Sequence, residues 1–243
     1  EPPASSVPTT AATQQDSEPA GPPDFDEEPP LPDSPYAPSI QLDDEAEQAE
    51  ATAEPDPVAS MNWEDLRKTV AVCERCELHS TRTQSVFGVG HPNARLMVIG
   101  EAPGRDEDLQ GEPFVGKAGK LLDQMLKAAG FERKDVFIAN ILKCRPPKNR
   151  DPKAEEAAAC RAYLNRQIEL VQPEVILSVG RISAQNLLDS EQSIGRLRGQ
   201  AHRLPGRDVP LFVTYHPAYL LRQPAEKRKA WADLQMVMSA LGL

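Results

Sequence analysis

The stretch "RLMVIGEAPGRDEDLQGEPFVG", residues 95–116, carries a short unbroken apolar run straight into an acidic loop broken by Gly and Pro. Leu96–Ile99 is too short for a helix and has no polar alternation, the pattern of a strand covered on both faces. Three further runs of the same kind follow: "DVFIANILKC" (135–144), "PEVILSVG" (173–180) and "PLFVTYH" (210–216). Helical periodicity fills the gaps between them. "AGKLLDQMLKAAG" (118–130) sets Leu121, Leu122, Met125, Leu126 and Ala129 on one stripe, with Gly130 to close it. The segment 151–172 is predicted to start with Asp151 as N-cap and Pro152 in the first helical position. "RISAQNLLDS" follows the third run, and Trp231, Leu234, Val237 and Leu241 share a face near the end of the chain. Strands alternating with helices predict an α/β fold with a four-stranded parallel sheet and helices on both faces. Such sheets bind ligands at the carboxyl ends of their strands. The acidic loop, the Cys144 segment and His216 all fall at that edge.

Composition divides the chain of 243 residues in two. Residues 1–60 hold 15 acidic residues, no Lys or Arg, and 13 of the 24 prolines. A segment so poor in apolar side chains cannot offset its ordering entropy, and it is expected to be a disordered acidic tail or linker. The sequence names no partner for it. The net charge of the whole is −10, yet residues 61–243 carry 27 basic against 22 acidic residues, a balance compatible with phosphate contacts. No run of roughly 18 apolar residues offers a membrane span. No basic-then-apolar leader opens the sequence, so a cytoplasmic protein is expected. The first residue is Glu rather than Met, so more chain is expected upstream. With all four cysteines between 73 and 160, reduced thiols or metal ligands are expected rather than disulfides.

Several residues carry chemistry. Cys73-x2-Cys76 follows a predicted short helix within residues 61–76, Cys144 ends the second strand run, and Cys160 lies in the next helix. Four thiolates suit a tetrahedral zinc or an iron–sulfur cluster equally well by spacing alone. Residues 111–118, "GEPFVGKA", approach a phosphate-binding loop, but Ala118 stands where a hydroxyl should hold magnesium, which excludes a nucleoside-triphosphate site. Phe114 is either core or a platform for a flat ring. Asn140 interrupts an apolar run, and a buried amide there either caps a loop or reads a polar ligand edge. His216 precedes Pro217 at the sheet rim. "KCRPPKNR" (143–150) and "RLRG" (196–199) supply basic groups for phosphates.

In order along the chain, "GEAPGRDEDLQGEPFVGKAG" (100–119), "NILKCRPPKNR" (140–150) and "HPAYLLR" (216–222), with the four-cysteine spacing, resemble the family 4, iron–sulfur uracil-DNA glycosylases. The likeness spans about residues 61–243. It implies a three-layer α/β/α sandwich, a [4Fe–4S] cluster on Cys73, Cys76, Cys144 and Cys160, and hydrolysis of the N-glycosidic bond of uracil flipped out of DNA. It further implies that Phe114 stacks on uracil, Asn140 reads its O4 and N3–H, and His216 donates to O2. Glu101 would activate water, with Glu107 supporting the loop or the water; Asp106, Asp108 and Glu112 would face solvent. Arg145 and Asn149 would contact DNA, as would Leu220, Leu221 and Arg222, one of which would enter the vacated base stack. A monomer acting in base-excision repair is the expectation.

Overall fold

The computed structural model describes residues 56–243. The predicted tail up to residue 55 lies outside them. Asp56–Ser60, assigned to that tail from sequence, instead pack on the body. Pro57–Ser60 make a 3-10 turn, Val58 is fully buried, and Asp56 Oδ1 accepts from Arg75 Nη2 at 2.8 Å. One valine with a capped turn suffices to seat this segment, a signal lost among the prolines around it.

Six strands form one sheet: β1 (Val89–Gly90), β2 (Leu96–Gly100), β3 (Phe137–Asn140), β4 (Val175–Val179), β5 (Ala201–Arg203) and β6 (Pro210–Thr214). Their order is β1-β3-β2-β4-β6-β5. The four central strands are parallel, as expected from their apolar runs, while β1 and β5 pair antiparallel at the two edges. The sheet therefore has six strands rather than four. β1 is two residues long and β5, "AHR", is exposed and polar, so neither leaves an apolar run to read.

Eight helices accompany the sheet among the described residues: α1 (Trp63–Ala71), α2 (Arg105–Gln110), α3 (Lys117–Ala128), α4 (Ala154–Val171), α5 (Arg181–Leu188), α6 (Ile194–Leu197), α7 (Pro217–Arg222) and α8 (Lys227–Ala240). Period-2 alternation sends Met97, Ile99, Phe137 and Ile176 into one core beneath α1, α4 and α5. Their neighbours Leu96, Val98, Ile138 and Leu177 enter a second core beneath α3 and α8. Two cores on opposite faces explain why these strands are apolar at every position. No described helix is long and apolar enough to cross a membrane.

Two local expectations are corrected. α4 begins at Ala154, with the Glu156 carboxylate accepting from the Lys153 N–H at 2.9 Å; Asp151 pairs instead with Arg181 Nη2 at 2.8 Å. β3 stops at Asn140, so Cys144 sits in the loop beyond the strand.

Where β2 ends, the chain turns towards β3 on one side, while β4 proceeds towards β6 on the other. That division opens a crevice at the carboxyl edge. Register aligns Gly100 with Asn140, and Val179 with Thr214, so β3, β2, β4 and β6 deliver their loops to one rim.

Candidate active site

Gly100 sets the floor of this rim. A Cβ there would lie 2.5 Å from both Asn140 Oδ1 and Phe114 Cζ, so the two side chains flank one spot that only glycine leaves open. Phe114 is buried and adopts a left-handed backbone, φ 53°, which costs a non-glycine residue about 1 kcal/mol or more. The surroundings enforce it. Gly119, in the first turn of α3, lies so close that a Cβ would overlap the Phe114 carbonyl at 1.7 Å. The Gly119→Ala substitution is therefore expected to destabilise the protein by about 1–3 kcal/mol through forced backbone shifts. Urea denaturation measures this; unchanged stability would mean that α3 does not clamp Phe114.

Glu107 braces the same loop. Its Oε1 accepts from the N–H groups of Val115 and Gly116, at 3.0 and 3.1 Å. This fixes the chain immediately ahead of α3, up to its N-cap Gly116. Asp108, expected in solvent, is buried and accepts from the Thr83 N–H at 2.9 Å. The six residues of α2 turn it inward, a helix too short to be seen in a run of mixed charges.

His216 completes the rim after β6. Its Nδ1 accepts from the Ala218 N–H at 3.2 Å, capping α7 and leaving the ring proton on Nε2. Burial holds the imidazole down at about 4, Arg222 adding to that effect and Glu107 opposing it. The ring is thus neutral near pH 7. It stands 5.7 Å from the Phe114 ring, centroid to centroid, at 31°.

Glu101, the residue after Gly100, is half-buried. Burial first, and the negative charge of Asp151 second, lift its carboxyl to about 7; Arg181 opposes them. Asn140 is 2% exposed, and its Oδ1 has no partner among the described residues. An unpaired buried acceptor costs about 1–3 kcal/mol, which a ligand donor restores.

The structure thus sets Phe114 and Asn140 at the Gly100 floor, with the His216 ring against Phe114, Glu101 next along the chain and Glu107 bound to the loop that follows Phe114. The DNA-facing set is more mixed. Arg145 Nε donates to Asn149 Oδ1 at 2.7 Å, ordering the exposed loop after Cys144. Leu220 is fully buried among Leu121, Met125 and Leu234 and cannot enter a base stack. Helical phase explains this, since α7 packs its Leu220 side on α3 and turns Leu221, 45% exposed, and Arg222 outward.

On the α1/α4 side, the four cysteines form no disulfide with one another. Cys144 and Cys160 are buried and Cys73 and Cys76 half-buried. The Cys144 thiol is pushed up by burial and feels Cys76 and Cys73; Cys160, pushed up to about 11 by burial, feels Cys144 and Cys76. Arg82 Nη1 donates to Cys144 Sγ at 3.1 Å and to the Cys73 carbonyl at 2.7 Å, tying the two segments together. Among the described residues, no three His, Cys, Asp or Glu side chains stand at the geometry of a single metal ion. Four thiols are soft donors of the kind iron–sulfur groups take, and the Arg82 guanidinium beside Cys144 offsets thiolate charge.

Sequence reasoning missed Arg82, and it counted Lys143, the first residue of "KCRPPKNR", among the basic groups offered to phosphates, whereas the structure turns that side chain into the interior, onto the Asn140 carbonyl and Gln167. Lys143 is fully buried, and burial draws it down to about 8. A lysine inside "ANILKC" was the signal, because cations seldom sit in apolar runs without a partner.

The family profile described as "Uracil DNA glycosylase superfamily" matches residues 87–235. A protein named Type-4 uracil-DNA glycosylase from Archaeoglobus fulgidus is 45% identical over 185 residues, 74% of this chain and 93% of the relative. One of the same name from Sulfurisphaera tokodaii is 44% identical over 72% of this chain and 82% of its own length. A third, from Thermotoga maritima, is 44% identical over 65% and 83%.

Proposed function

The chain belongs to the uracil-DNA glycosylase superfamily, and from that premise we propose that its rim removes uracil from DNA as the first step of base-excision repair. The observation that carries the reading is the orphaned Asn140 Oδ1 beside the Phe114 ring. Uracil presents N3–H, a donor, next to O4, an acceptor. An amide with a free oxygen matches that pair, and cytosine inverts it. A base inside a duplex cannot reach the rim, so the nucleotide is flipped out and its pyrimidine stacks on Phe114.

Breaking the N-glycosidic bond leaves the electron pair on uracil N1 and positive character on the sugar. Neutral His216 donates from Nε2 to uracil O2, where the negative charge spreads. Glu101, as a carboxylate, accepts a proton from the water that attacks C1′ and faces the sugar cation. Glu107 holds the loop that carries Phe114. Arg145, Asn149, Leu221 and Arg222 meet the DNA. Activity resides in residues 61–243 together with the Asp56–Ser60 turn.

Cys73, Cys76, Cys144 and Cys160 would hold a [4Fe–4S] cluster, whose contribution is to cross-link the α1 end, the loop after β3 and α4. None of the proposed chemistry moves electrons. Reduced cysteines suit a cytoplasmic setting, and a monomer suffices because every proposed residue comes from one chain.

Incubating the iron-loaded protein with a uracil-containing oligonucleotide, followed by alkali, is expected to cut the strand at uracil. An intact strand would overturn the enzyme reading and leave a DNA-binding module. Iron and sulfide analysis tests the cluster; zinc in their place would overturn it. Because Glu101 must be ionised, excision is expected to rise through about pH 7 and level off above it. The Asp151→Asn substitution removes a charge that keeps Glu101 protonated, so the midpoint should move to lower pH. A single-turnover pH profile that is flat, or that moves to higher pH, would remove Glu101 from this role.

A further inference from the structure

Lys143 is buried within the body, beside the thiols. Its Nζ donates to the Asn140 carbonyl at 2.8 Å and to Gln167 Oε1 at 2.7 Å, and Gln167 Nε2 donates to the Phe87 carbonyl at 2.7 Å. The titratable groups that bear on the ammonium are the Cys160 and Cys144 thiols. Burying an ammonium costs several kcal/mol, and two neutral oxygens return only part of that. A methionine would fill the same space without the cost, so the cation is retained for what it holds.

What it holds is the last residue of β3. The Asn140 carbonyl points past the end of the ladder, where the next bonds are Ile141 N–H to the Gly100 carbonyl and Leu142 N–H to that of Glu101. Rotation of this peptide would swing the Asn140 amide away from the floor at Gly100. Gln167 lies on α4, two turns beyond Cys160, and its bond to Phe87 anchors the far end of the chain of contacts.

We propose that Lys143 is a positioning residue for uracil selection, tying the carbonyl of Asn140 to Gln167 on the cysteine-bearing helix and so fixing the aim of the base-reading amide. This rests on Asn140 reading uracil. It makes the thiol basin and the base pocket one mechanical unit, joined through a side chain that touches neither DNA nor base. A misplacement of the order of 1 Å at a hydrogen-bonding group suffices to weaken recognition strongly.

The test compares Lys143→Met and Gln167→Met with the parent holoprotein, each checked for iron content. Free uracil binding is measured by equilibrium dialysis, and binding to DNA carrying a stable abasic-site analogue by fluorescence anisotropy. Lys143→Met is expected to bind uracil about tenfold more weakly, the scale of one charge-assisted hydrogen bond, with abasic-site affinity within about twofold. Gln167→Met keeps the charge but frees its anchored end, and should weaken uracil binding about threefold. If Lys143→Met does not load iron, Gln167→Met decides. Unchanged uracil binding, or equal loss of uracil and abasic-site binding, overturns the proposal. Should the parent protein itself neither bind nor excise uracil, the functional reading fails, a result distinct from a parent that works and variants that match it.

Discussion

The His216→Ala protein is expected to excise uracil about 10²–10³-fold more slowly under single-turnover conditions while binding uracil-containing DNA nearly as well. The imidazole is a preorganised donor. Its Nδ1 is committed to the Ala218 N–H, so the proton sits on Nε2, and burial keeps the ring neutral well below physiological pH. A neutral donor strengthens its bond as charge builds on O2, and so acts on the transition state more than on the bound ground state. The sign of the shift sets the pH behaviour as well. With its value held at about 4, His216 is expected to give no acidic limb near neutrality, so a rise near pH 7 would point to Glu101. In folding, the depressed value means that His216 favours the native state above about pH 6.5, a contribution lost as pH falls towards 4. Full single-turnover rate in the alanine variant, or a loss of DNA binding alone, would show that the ring orders α7 without assisting bond cleavage.

Changing Asn140 to Asp should reverse part of the base selectivity. The variant keeps an acceptor where the free Oδ1 stands and replaces the Nδ2 donor, so uracil O4 meets oxygen while the cytosine amino group finds an acceptor. Uracil excision is expected to fall by about 10²–10³, with cytosine excision emerging above background. Parallel assays on uracil- and cytosine-containing oligonucleotides, with Lys143 and Phe114 intact, measure the ratio. An unaltered ratio would mean that another group reads the base.

The legible parts of this fold were those written as apolar runs. Leu96–Ile99, Val136–Ile138, Val175–Leu177 and Leu211–Val213 feed two cores and so are apolar throughout. The edge strands escaped because "VG" and "AHR" earn their place through backbone pairing alone. At the site, Phe114, Asn140 and His216 were readable as departures from local expectation: an aromatic in a glycine loop, an amide in a strand, an imidazole before proline. The inward turn of Asp108 and the burial of Leu220 were not, since each depends on the phase of a helix only six residues long. Lys143 belongs to a different class, because its purpose lies in contacts with Asn140 and Gln167 that local pattern does not contain.

His216 is the cap of α7, and Leu221 stands at the outward side of that same six-residue rod, about 9 Å from end to end. A rod so short cannot bend between its two ends. Under the proposed function, any tilt of this rod that shifts the leucine against DNA would shift the imidazole against the pyrimidine in the same movement, so gripping the strand and arming the cut would be a single mechanical event.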